Sequence, residues 1–137
     1  MKLCHLDLQI ELDDTWWAEA SMQGFVPLNR AYCVSNDAAG GRRLFEVRII
    51  EVKPLIRDPG VGIFNDNKEA SAKDRVISIL KGFRTRSPIP PVEVVFEPAD
   101  SNFRYKLVAG VHRFYCSLAV GFSHVPAVEG WVPENDI

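Results

Sequence analysis

Excess positive charge is missing from this chain. Sixteen Lys and Arg face eighteen Asp and Glu, the net charge is −2 and the sequence pI is about 5.9. A wholly basic, non-specific nucleic-acid binder is excluded, because such proteins carry a strong positive footprint, although a local basic patch stays open. Paired cysteines are missing too. Cys4, Cys33 and Cys116 are odd in number and far apart, with no CxxC and no Cys/His cluster at metal-ligand spacing. That excludes a disulfide framework and a zinc site and leaves reduced thiols, the state expected in the cytoplasm. No apolar run approaches the ~20 residues of a bilayer span, so no membrane contact is expected. The opening MKLCHLDLQIELDD meets acid before an apolar core forms and does not read as a signal peptide. Repeats and low-complexity tracts are absent as well.

What is present reads as one ordinary domain. A chain of 137 residues with 47% apolar and 25% charged residues buries roughly two-thirds of its unfolded surface, enough to fold without a metal or disulfide staple. Residues 1–43 are irregular in pattern and read as an N-terminal extension packed on the core. Within them LCHLDLQIEL alternates apolar and polar residues through Leu6, Leu8, Ile10 and Leu12, as one half-buried strand would. Asp13, Asp14 and Thr15 are candidate caps for a short helix closed by Gly24.

From residue 44 to 137 the pattern sharpens into a second unit. LFEVRIIEVKPL predicts a strand, and KEASAKDRVISILKGF a helix ending at Gly82. RTRSPIPP is a linker whose prolines forbid helix. VEVVFEP and RYKLVAG predict a hairpin, followed by a helix that stops at Gly121 and a last strand in HVPAVEGW. The order strand, helix, strand, strand, helix, strand makes the fold class α+β, a small mixed sheet with packed helices.

The chemistry concentrates in VAGVHRFYCSLAVG, where an apolar strand ending in Gly110 feeds a helix that begins with Val111, His112 and Arg113. The first turn of a helix has amides without intrahelical partners and the positive end of the dipole. Gly110 permits close backbone approach, and Arg113 supplies a forked donor suited to phosphate oxygens. The helix end offers roughly 0.3–1 kcal/mol and each charge-assisted hydrogen bond about 1.5–3 kcal/mol. Together they reach the micromolar range for a nucleotide phosphate; none does so alone. The same residues also fit a glycine turn with a surface histidine and a salt-bridged arginine.

Residues 105–128, YKLVAGVHRFYCSLAVGFSHVPAV, resemble the signature of the ParB/sulfiredoxin superfamily, in which a strand runs into Gly-x-His-Arg or Gly-x-Arg-Arg, a helix, a glycine and a short strand. PIPPVEVVF is similar to that family's proline-linked strand, and RVISILKGF to its preceding helix. The resemblance extends from residue 45 to 131, about two-thirds of the chain, and leaves residues 1–43 unexplained. It implies a ParB/sulfiredoxin-like fold with a nucleotide-phosphate site at Gly110, Val111, His112 and Arg113. Arg75 and Ser78 of Arg75-Val76-Ile77-Ser78 match a Lys-Val-x-Ser that faces the nucleotide in sulfiredoxins, and Arg57 matches an early arginine.

Two departures limit what carries over. Val111 stands where sulfiredoxin has its nucleophilic cysteine, so sulfiredoxin activity is not expected. Cys116, one turn past Arg113, reads as a buried structural cysteine. No helix-turn-helix segment follows the core, so a centromere-binding ParB is not expected either.

The resemblance therefore implies a nucleoside triphosphate ligand, ATP or CTP, with hydrolysis of that nucleotide or nuclease action on DNA. Arg113, Arg57 and Arg75 would neutralise phosphate charge, and His112 and Arg113 are the candidate catalytic residues. Asp58, Asp66, Glu69 and Asp74 are candidates for holding Mg²⁺, although acids in a polar segment equally read as solvated surface. The alternative is a non-catalytic regulatory protein of plasmid or phage type, binding a protein partner such as a host factor or inhibiting conjugation. Arg42, Arg43, Lys81, Arg84 and Arg86 form either a basic strip for phosphate backbones or ordinary surface charge. Trp16 and Trp17, beside Phe25, read as a partner patch or as packing of the extension onto the core. His5 and His124 have no ligand-type neighbours in sequence and read as satisfied polar residues.

Overall fold

A computed structural model describes residues 2–5, 8–53, 71–97 and 102–130. The architecture is α+β: a five-stranded curled sheet, a two-stranded sheet and three helices among the described residues.

The N-terminal alternation is a hairpin rather than the single strand that LCHLDLQIEL predicts. β1 (Lys2–His5) pairs antiparallel with β2 (Leu8–Glu11), with Leu3 opposite Ile10 and His5 opposite Leu8. Period-two alternation reads the same in one long strand as in two short ones, so it is blind to the reversal. α1 (Asp14–Glu19) follows. Asp13 caps it, accepting from the Thr15 amide at 2.8 Å and the Thr15 hydroxyl at 2.7 Å, and these bonds hold its carboxyl below the ordinary carboxylate range. The helix stops at Glu19, short of Gly24.

This segment shares the central core. Ile10, Leu12, Ala20, Met22 and Tyr32 belong to the same buried cluster as the sheet residues, with Trp16 and Trp17 packed half-buried against it. His5 is buried, its Nε2 3.0 Å from the Val52 carbonyl oxygen and its ring edge-on to Phe114. A satisfied polar residue is what its sequence context predicts; its place in the core is the structure's addition.

The strand predicted from residue 44 onward is broken in two. β3 (Phe45–Arg48) is followed by a 3₁₀ turn (Ile49–Glu51) and then by β4 (Val52–Lys53). With α2 (Ser71–Thr85), β5 (Val92–Phe96), β6 (Tyr105–Ala109), α3 (Val111–Val120) and β7 (His124–Glu129), the sheet order is β3-β7-β5-β6-β4. The two halves of the broken strand thus form opposite edges of the sheet. The four residue steps from Arg48 to Val52 span at most about 14 Å, whereas the edges of a flat five-stranded sheet lie about 19 Å apart. The sheet must curl, and ring centroids of Phe45 on β3 and Tyr105 on β6 come within 6.0 Å. The turn is held by neighbours distant in sequence: Ile49 N–H donates to the Ser123 carbonyl and Arg104 N–H to the Glu51 carbonyl.

Register places Val47 opposite Val125, Phe45 opposite Ala127, Val92 beside Ala127 and Val94 opposite Leu107, so these side chains share the inner face of the curl. Phe114 and Tyr115 of α3 and Val76 and Leu80 of α2 close the core at 0% exposure. Each such side chain contributes about 1.5–3 kcal/mol of burial. The predicted hairpin of β5 and β6 forms, with a bulge at Glu93/Val94. Gly82 does not end its helix; it lies inside α2, where a Cβ would come 2.8 Å from Ile89 Cδ1, so close packing rather than termination requires glycine there. No helix among the described residues is long and apolar enough to cross a membrane.

Candidate functional site

The junction between β6 and α3 is made by Gly110, in the left-handed region at φ 91° and ψ 37°. A Cβ here would lie 2.9 Å from Val92 Cγ1 and 3.1 Å from Val92 Cα. Both the backbone conformation and the space therefore demand glycine. No side chain caps the helix at this position, so its first amides are left to other partners.

Those amides border a groove of about 540 Å³, lined by Gly110, Val111, His112 and Arg113 from this turn and by Arg75 and Ser78 from α2. Pro88, Ile89 and Pro90 form its remaining described wall. The periodicity of RVIS explains the meeting. Val76 and Leu80 turn inward, which leaves Arg75 and Ser78 exposed on the side of α2 that borders the groove.

Arg113 is half-buried and donates from Nη1 to the Pro91 carbonyl at 2.7 Å. One donor of five is thus spent on the scaffold, which fixes the guanidinium plane and leaves the other donors for a ligand. Beside it, Tyr32 donates to the Pro90 carbonyl at 2.6 Å and stacks on Phe83 of α2. Burial raises the Tyr32 hydroxyl well above its ordinary pKa, and the charge of Arg113 opposes part of that rise. The wall is also pinned through the N-terminal segment: Val34 bridges Ile89, the Ile89 amide donates to Cys33 and the Ser35 amide to Ile89. Sequence reading missed Tyr32 and the proline carbonyls; the available signal was the Pro-Pro pair, which removes two backbone N–H donors and leaves carbonyls to be satisfied by side chains.

His112 lines the groove yet is only 7% exposed. Cys116, fully buried in α3, has its thiol pushed up by burial, so no thiolate is available there. Arg57, Asp58, Asp66 and Glu69 lie outside the described residues; Asp74 is in the first turn of α2. Among the described residues, no carboxylate lines the groove and no three His, Cys, Asp or Glu gather to hold a metal ion.

Four of the five basic residues considered as one strip divide between two clefts. Arg84 and Arg86 border a cleft with Phe25 and Phe122, Arg84 donating to the Ala20 carbonyl at 3.3 Å. Arg42 and Arg43 line another groove with Phe45, Phe96 and Tyr105. The sequence signal that could have found this second groove is the run Arg104-Tyr105-Lys106 opposite Phe96, an aromatic flanked by charge at a strand start. Neither a scan against protein-family models nor a search of curated proteins finds a match to this chain.

Proposed function

We propose that the chain binds a nucleoside triphosphate, ATP or CTP, by its phosphates at the N-terminus of α3. The observation that supports this best is the convergence of Gly110, Val111, His112, Arg113, Arg75 and Ser78, from two helices far apart in sequence, on one groove. Helix amides, two guanidinium groups and a hydroxyl are the donor set that phosphate oxygens require. The resemblance to the ParB/sulfiredoxin superfamily supports the same reading from the sequence side. Hydrolysis of the nucleotide or of DNA is its chemical extension. Arg113 and Arg75 would stabilise the charge that grows on the transferred phosphoryl group, and His112 would act as hydrogen-bond donor or general acid/base. Mg²⁺ would supply further charge neutralisation, but among the described residues the groove offers it no carboxylate.

A second reading, a nucleotide-responsive regulatory protein without turnover, draws support from the burial of His112 and from the tie of Arg113 to Pro91. Both features suit holding a ligand better than moving a proton. A thermal-shift titration with ATP, CTP and GTP, with and without Mg²⁺, tests the binding. Ligand at 100 times its dissociation constant stabilises the fold by about 2.7 kcal/mol, and Arg113→Ala removes most of that shift. No shift in the wild type, or an equal shift in Arg113→Ala, sinks the proposal. Phosphate release and plasmid nicking, with His112→Ala as control, then separate turnover from binding alone.

A further inference from the structure

We propose that the open mouth of the curled sheet, at a groove distinct from the phosphate groove, is a platform for single-stranded nucleic acid. A base stacks there on Phe96 and Tyr105 while arginines at the rim hold the adjoining phosphates. The inner face of the curl is aliphatic through Val47, Val94, Leu107 and Val125 and becomes aromatic only at this end. Phe45, Tyr105 and Phe96, from three different strands, form a ladder with ring centroids 6.0 Å and 6.4 Å apart. They border a groove of about 780 Å³, a volume suited to one or two nucleotides. Phe96 is 60% exposed, and an aromatic face left in water at the rim of a cavity is a stacking surface open to a ligand.

The charges around these rings select the ligand. Arg42 is a strut: it is ion-paired with Glu93 and donates to the Ala39 and Glu129 carbonyls at 2.9 Å and 3.2 Å. Arg43, next to it, is exposed and makes no ion pair with a described residue. On the far side the Arg104 guanidinium lies 5.8 Å from the centre of the Tyr105 ring. Of the acids, Glu46 is paired with Arg30 and Glu93 with Arg42. The exposed carboxylate of Glu129 is left at the rim, where it can accept from an exocyclic base amine, as in cytosine or adenine. An organic cation would meet Arg42 and Arg43, and a duplex keeps its base faces stacked away, so unpaired cytosine or adenine with its phosphates is the chemistry that fits.

The test is fluorescence anisotropy of a labelled oligodeoxycytidine of about eight nucleotides with the full chain. Expected are saturable binding that weakens as salt rises, weaker binding of oligothymidine, and no competition from duplex. Phe96→Ala, at an exposed position that leaves the fold intact, weakens binding about tenfold or more, the scale of one lost stack. Arg43→Glu weakens it further, while Arg113→Ala changes it less than about twofold; this keeps the result separate from the nucleotide proposal. No saturable binding at about 100 μM protein overturns the inference. So does binding indifferent to Phe96→Ala and Arg43→Glu, binding lost in Arg113→Ala, or equal competition by duplex or free mononucleotide.

Discussion

The two ends of the curled sheet solve the problem of presenting polar groups in different ways. At the end where β6 turns into α3, the site is made mostly of backbone: helix amides, a glycine pressed on Val92, and proline carbonyls tied down by Tyr32 and Arg113. At the mouth it is made of side chains, three aromatic rings and the arginines beside them. Backbone sites are rigid because moving them means moving the fold, and side-chain sites are tunable because their residues carry little of the core. The closed end should therefore punish substitution in stability, and the open end chiefly in binding.

The largest expected contrast is between two glycines. Gly110→Ala forces a positive φ and drives a methyl against the backbone of Val92, costing about 2–5 kcal/mol when the left-handed penalty and overpacking are combined. Gly130→Ala, at the mouth, clashes with the Val108 methyl at 2.5 Å but touches Glu93 Cβ at 3.5 Å and the Val94 carbonyl oxygen at 3.6 Å only in ordinary contact; Val108 is 40% exposed and can rotate away at a cost of about 1 kcal/mol. Urea denaturation of both variants measures the difference, and equal losses would erase the contrast. Of intermediate size is Tyr32→Phe, which removes one hydrogen bond to the Pro90 carbonyl. A loss of about 1 kcal/mol is expected, with weaker nucleotide stabilisation as the groove wall loosens. An unchanged melting temperature would mean that this wall is held by the Ile89 bridge alone.

The smallest effect leaves the fold untouched. Cys4 and Cys33 are exposed, whereas Cys116 is buried in α3 with its thiol pushed up. A thiol-disulfide reagent at neutral pH should titrate two of the three thiols in native protein and all three in denaturant. Raising the pH leaves Cys116 slow, since it is fully buried and burial pushes its thiol up. A native third thiol reacting as fast would show that the closed end opens.

What the chain encodes locally was legible before any coordinates. Gly110 and Gly121, both at positive φ, bracket α3 as their places in VAGVHRFYCSLAVG predict, and Asp13 caps α1 through a residue two positions away. Arg75, Ser78 and the residues from Gly110 to Arg113 could be named as partners through the resemblance, and they do line one groove. Caps and periodicities act over about four residues, within reach of a reader of sequence.

Only the tertiary structure decided the rest. It broke one alternating segment into opposite edges of a sheet and kept Gly82 inside a helix by packing it on Ile89. It committed one arm of Arg113 to Pro91, and it gathered Phe45, Phe96 and Tyr105 into a single mouth. Each outcome depends on which strand lies beside which. That choice is made by burying one shared set of apolar side chains from distant parts of the chain, a competition with no local signature.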